Sequence, residues 1–216
     1  MKSLNELIDK EKTTWNMIQS WFKQVNNNFE VLPKEVEAAN SELLGMQLST
    51  KTPLGAIIYE TGGLLIDGGW LRILGSGHEK LPRVFFTWNL GKTFEGMGER
   101  PLYLLIADDI VGGYFAVNGG GLGEKIGIVY YYHPKKRKWE SIGLNYSQFL
   151  GWALTADIAS FYYDLRKENW QLLLEQVNGN QIINLETLQT QPIARHYQDL
   201  FTEEEDDKHC FGYPVN

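Results

Sequence analysis

The stretch from Leu102 to His133, LYLLIADDIVGGYFAVNGGGLGEKIGIVYYYH, leaves the backbone few options. Its apolar, β-branched and aromatic runs, Leu102–Ala107, Tyr114–Val117 and Ile126–Tyr132, are separated by Asp108-Asp109, Gly112-Gly113 and a glycine-rich tip, the pattern of an antiparallel meander. Near-continuous apolarity in the first and third runs puts those strands deep in a sheet rather than at its edge.

Helical signals flank this segment. Ser3 and Glu6 have capping-box spacing before Leu4, Leu7 and Ile8, and a second helix starting near Thr13 or Thr14 sets Trp15, Ile18, Trp21, Phe22 and Val25 on one core-facing stripe. Pro33 with Lys34, Glu35 and Glu37 reads as a first helical turn, and Leu43–Leu48 as a strand. Thr52-Pro53 starts a short helix that Gly62-Gly63 ends with a left-handed stop. Gly63–Asp67 and Trp70–Gly75 surround Asp67-Gly68-Gly69 as a hairpin, and Pro134–Lys138 is a basic turn. Asn145 or Ser147 caps one long helix carrying Phe149 through Leu165, with a further helical stretch at Trp170–Val177. Helices, sheet and helices in that order make an α+β protein.

At 216 residues one domain is expected, with a core over about 4–185 and an extension over 186–216 bearing the acid run Glu203–Asp207. A net charge of −7 leaves no basic face for phosphate, so nucleic acid is excluded as a partner. Cys210 is the only cysteine, which rules out an intramolecular disulfide and a cysteine-based zinc site and suits a reducing compartment. The start MKSLNELIDKEK lacks the apolar core of a secretory signal, and no apolar run is long enough for a membrane; the expected location is the cytoplasm.

The chemical motifs mostly fail on spacing. Gly119-Gly120-Gly121-Leu122-Gly123-Glu124 precedes a strand-like run instead of a helix and reads as a hairpin tip, not a phosphate cradle. His78-Glu79 opens like a zinc-protease helix, but Pro82 stands where the second histidine belongs, and Ser76 lacks the outer glycines of a nucleophile elbow. Asp108 and Asp109 at one strand end with His133 at another suggest an acid–base or metal cluster, against the alternative that the aspartates cap the turn before Gly112-Gly113. Trp70, Trp88, Trp139 and Trp152 with Tyr130–Tyr132 suit core packing or an aromatic pocket, and the irregular stretch Gly75–Arg100 is where a ligand loop is expected. His196, His209 and Cys210 fall in a weakly periodic tail. The candidate ligand-binding residues are therefore Trp70, His78, Trp88, Asp108, Asp109 and His133, with no catalytic residue, metal ligand or cofactor assigned.

ETGGLLIDGGWLRILGSG (Glu60–Gly77), LYLLIADDIVGGYFAVNGGGLG (Leu102–Gly123) and GIVYYYHPKKRKWESIGLNYSQFLGWAL (Gly127–Leu154) resemble the DUF2625 family of bacterial proteins, over Leu4 to about Leu185. The central segments also look like the broader SUKH (SMI1/KNR4-like) superfamily, in which a hydrophobic strand ends in an acidic turn and glycines, an aromatic strand follows, and a last strand leads to a helix. The resemblance implies a mixed, mostly antiparallel sheet flanked by helices and a non-enzymatic role, many such proteins being immunity proteins that neutralise toxins and others regulatory modules. The expected function is a protein-binding module that presents an acidic face and the loops beside the meander to a toxin-like or regulatory partner. The alternatives are a small-molecule-binding protein or enzyme with a pocket from Trp70, His78, Trp88, Asp108 and His133, or a self-associating structural protein.

Overall fold

The structure, a computed structural model, describes residues 1–96, 98–166 and 168–202. Seven strands form one sheet whose spatial order is the chain order: β1 (Phe29–Leu32), β2 (Gly63–Ile66), β3 (Leu71–Leu74), β4 (Tyr103–Asp109), β5 (Tyr114–Asn118), β6 (Ile128–His133) and β7 (Lys138–Asn145). Every neighbouring pair in it is antiparallel. The three expected runs are β4, β5 and β6, and the Asp67 turn does close the β2–β3 hairpin, through one turn of 3₁₀ helix. The fold is α+β, as expected.

Strand periodicity sorts the aromatic residues onto two faces. On one, Phe115 and its cross-strand partner Tyr131 meet Phe149, Trp152 and Phe161 of α6 (Tyr146–Thr155) and α7 (Ile158–Phe161). On the other, Tyr114 and its partner Tyr132 meet Tyr197 and Phe201 of α9 (Ile193–Thr202). Because both faces are covered, IVYYYH reads as continuous rather than alternating apolarity.

Capping chemistry fixes the helix starts. Ser3 and Glu6 close their box ahead of α1 (Leu4–Leu7), while Lys12, in a left-handed conformation, separates it from α2 (Thr13–Phe22). Thr52 Oγ1 accepts from the Gly55 N–H ahead of α4 (Pro53–Glu60), and Asn145 with Gln148 boxes α6.

Several expectations are corrected. Leu43–Leu48 is not a strand, because α3 (Val36–Met46) runs through it and stops at a left-handed Gln47. That helix starts one turn later than Pro33 suggests, the Glu35 carboxylate accepting from the N–H groups of Glu37 and Ala38. The stop after α4 is an extended Thr61, and Gly63 opens β2 instead. The single long helix breaks at Ala156, where Asp157 caps α7. The segment after Leu185 is not weakly structured: β8 (Gln181–Ile183) pairs with β9 (Thr190–Pro192), and α9 buries Ile193, Tyr197 and Leu200. The acid run Glu203–Asp207, His209 and Cys210 lie outside the described residues.

Candidate functional site

The end of β4 carries the chemistry that the sequence singles out. Asp108 and Asp109 are adjacent in a strand, so their side chains leave on opposite faces of the sheet. Asp108 pairs across the ladder with Arg72 of β3 and Tyr114 of β5. Its Oδ1 accepts from Arg72 Nε at 2.6 Å and its Oδ2 from Arg83 Nη2 at 2.6 Å, all three residues being buried. Arg72 also donates to the carbonyls of Asp109 and Gln181, and Arg83 to that of Gly179, so the cluster fastens the irregular stretch after β3 and the segment before β8 to the sheet. Burial lowers the Arg83 guanidinium to about 10 while Asp108 opposes the shift. Breaking such a buried group costs about 3–5 kcal/mol, because the remaining charge keeps its desolvation penalty.

Asp109 faces the helices α6 and α7. Its Oδ1 accepts from the N–H groups of Val111 (3.1 Å) and Gly113 (2.8 Å), and its Oδ2 from the Tyr131 hydroxyl at 2.7 Å. This is the turn-capping alternative, realised at Asp109 but not at Asp108. Burial raises the Asp109 carboxyl above its ordinary range and raises the Tyr131 phenol well above its own. Gly113 is required by close approach: a Cβ there would lie 2.3 Å from both Asp109 Oδ2 and the Tyr131 hydroxyl.

His133 ends β6 on the Asp109 face, two residues beyond Tyr131. Its Nδ1 accepts from the Lys136 N–H at 3.4 Å, and its Nε2 lies 3.1 Å from Asp164 Oδ2. Beside it a groove of about 560 Å³ runs between β7 and the helices α6 and α7. Trp152, Phe161, Tyr131, Ile142 and Leu144 wall the groove, and His133, Asp164, Lys136 and Glu140 stand along it. Lys136 and Lys138 both pair with Glu140, holding that carboxyl down at about 2.

The six candidate residues are dispersed. Asp108 lies on the α9 face with Trp88, whose ring packs on Tyr197 under the Arg83 guanidinium. Asp109 and His133 lie on the opposite face. Trp70 is fully buried against Tyr162 and Trp170, with the Arg166 guanidinium 4.7 Å from its ring. His78 sits in the loop after β3, bridged to Leu81, its Nδ1 accepting from the Lys80 N–H. The groove that His133 lines includes none of the other five.

Arg72 and Arg83 escaped the sequence reading. A signal existed for Arg72, the one charged residue in the strand run WLRIL, since a cation in a fully buried strand needs a buried anion. Arg83 gave none. His196 was also misplaced: it lies on α9, its Nδ1 is 2.9 Å from the Tyr114 hydroxyl, and burial lowers it to about 4. Among the described residues no three His, Cys, Asp or Glu side chains form a group able to hold a metal ion, and no helix is long and apolar enough to cross a membrane.

Two proteins are similar over most or all of the chain. One from Haemophilus influenzae, called an uncharacterized protein, is 44% identical across 100% of both chains. The other, the putative uncharacterized protein YbfG of Escherichia coli, is 44% identical across 79% of this chain and 77% of its own length. The family model described as protein of unknown function DUF2625 matches residues 4–200, which takes in the β4 turn, the buried cluster and the groove, and the chain belongs to that family.

Proposed function

We propose that this is a non-enzymatic protein-binding module of the immunity-like or regulatory kind, working in the cytoplasm. The observation that supports it best is the fate of its acid–base candidates. Asp108 is held by two arginines, Asp109 by a tyrosine and two backbone N–H groups, and His133 by Asp164 and the Lys136 N–H. Asp108 lies on one face of the sheet and Asp109 and His133 on the other, so the three do not converge on one reacting atom as a shared acid–base site requires. The succession of β4, its acidic turn with glycines, the aromatic β5, and β7 leading into α6 supports a SUKH-like reading. The small-molecule alternative draws on residues divided between two faces of the sheet, which supports it less.

The test is recovery and reconstitution. Tagged protein expressed in a bacterium that carries it is purified under native conditions, and any co-purifying protein is made separately and mixed with it. A stoichiometric complex on sizing chromatography is the expected result. Native mass spectrometry that finds a bound metabolite, with no protein that reconstitutes, overturns the reading.

A further inference from the structure

A second cavity, of about 240 Å³, opens where the β6–β7 turn, the β8–β9 turn and α9 come together. Water takes up roughly 30 Å³ per molecule, so there is room for a solute of roughly eight or nine non-hydrogen atoms. His196 lines the cavity from a fixed position. Gly112 makes room for its ring: the glycine sits at φ 88°, and a Cβ there would lie 2.6 Å from His196 Cε1. The Tyr114 hydroxyl lies 2.9 Å from His196 Nδ1, while no group among the described residues bonds Nε2. Val111 and Leu200, both buried, and the half-buried Leu185 give the cavity an apolar wall.

Four charged side chains line this cavity, two of each sign: Lys135 and Arg137 from the β6–β7 turn, Glu186 from the β8–β9 turn and Asp199 from α9. Burial keeps His196 uncharged at neutral pH, so the charges balance. Two of the four are engaged elsewhere. The Lys135 ammonium donates to the main-chain carbonyl of Asp164, and the Asp199 carboxylate lies 3.7 Å from Arg195 Nε. The Arg137 guanidinium and the Glu186 carboxylate make no hydrogen bond or ion pair among the described residues, with each other included. Two opposite charges that share a cavity without reaching each other are both matched by one solute that carries both signs.

We propose that this cavity binds an aliphatic α-amino acid of the size of valine or leucine, as its zwitterion. The ligand carboxylate lies against Arg137, whose planar fork matches it, and the ammonium against Glu186. The aliphatic side chain rests on Val111, Leu185 and Leu200, so that a few placed polar groups orient the ligand and an apolar wall selects its side chain. His196 Nε2 accepts from the ammonium or donates to the carboxylate, according to which ring nitrogen carries the proton. The site uses none of the six candidate residues and does not rest on the protein-binding reading.

The test titrates the full chain with L-leucine at neutral pH and reads backbone amide shifts. Two analogues run alongside: leucinamide, which keeps the ammonium and lacks the carboxylate, and N-acetyl-leucine, which keeps the carboxylate and lacks the ammonium. Leucine should bind with a Kd of about 1 mM or tighter, and each analogue about tenfold more weakly. Shifts should concentrate in residues 111–112, 134–137, 184–191 and 196–200. Glu186→Gln should weaken leucine about tenfold and leave N-acetyl-leucine unchanged, whereas Arg137→Asn should weaken leucine about tenfold and leave leucinamide unchanged. Asparagine suits the φ of 52° at residue 137, and both side chains are exposed, so the variants should keep the parent's unfolding midpoint. No leucine binding at about 10 mM, equal affinity for the three compounds, glycine binding as tightly as leucine, or shifts elsewhere on the chain would each overturn the assignment. A reconstituted partner complex from a chain that takes no amino acid rejects this site alone, and amino-acid binding by a chain with no partner rejects the protein-binding reading alone.

Discussion

The turn after β4 and the turn after β6 both concentrate charge at the end of an apolar strand, and the fold treats them oppositely. At the first, Asp108 and Asp109 are buried, and each is closed within the interior by fixed partners. At the second, Lys135 to Lys138 remain in solvent. Water explains the difference in consequence: a buried charge is costly unless paired, so its partners become structural necessities, while exposed pairs contribute little and can be exchanged for a ligand. Charge inside this protein holds distant chain segments together, and charge at the hairpin end makes only solvent-exposed pairs such as those of Lys136 and Lys138 with Glu140.

The sharpest way to break this contrast is to remove the carboxylate at its centre. Asp108→Asn leaves Arg72 and Arg83 facing each other without an anion, and urea unfolding should show a loss of about 3–5 kcal/mol. Replacing all three by Leu and Met should restore most of it; a loss below about 1 kcal/mol for the single variant would mean that the cluster is not closed.

Glu42 sharpens the comparison, because it is a buried carboxyl that pairs with no cation among the described residues. It accepts from the Phe86 N–H at the start of α5 (Phe85–Asn89), and burial lifts it to about 7 from an ordinary 4.5, the N–H pulling the other way. The folded state therefore holds this proton more tightly than the unfolded chain does. Stability from Glu42 is complete below pH 4.5 and is lost as the pH climbs through about 7. Glu42→Gln should match the parent near pH 4 and exceed it by about 2 kcal/mol at pH 8 in urea titrations, and parallel pH profiles would refute the effect.

Tyr131→Phe withdraws one of three donors from Asp109 and should cost about 1–2 kcal/mol, read as a lowered unfolding midpoint. At the other turn, the double substitution Lys136→Ser and Lys138→Ser should leave the urea midpoint unchanged within error. A clear destabilisation there would erase the distinction between the two turns.

The sheet was largely readable in advance because its signals are local. Runs bounded by Asp-Asp and Gly-Gly, the Asp67-Gly68-Gly69 turn and the Asn145 cap each act within a few residues. β1 was missed because FEVL is too short to display a period, and α9 because its polar face, IARHYQDLFT, hides an apolar stripe of Ile193, Tyr197 and Leu200. Of the six candidate residues His133 alone lines the groove beside β7, and that groove was not legible, because its walls come from β6, β7, α6 and α7, which only packing brings side by side.

By itself the chain determined where the β2–β3 hairpin and the β4–β6 meander run and turn, since apolar runs, glycine and capping are properties of neighbouring residues. Only the tertiary structure decided that Asp108 and Asp109 serve different faces, that Arg72 and Arg83 converge on one carboxylate, and that an apolar groove opens beside a basic turn. Each of those depends on strand pleat and on contacts between residues far apart in the chain, and neither composition nor spacing encodes which distant residue will supply the partner.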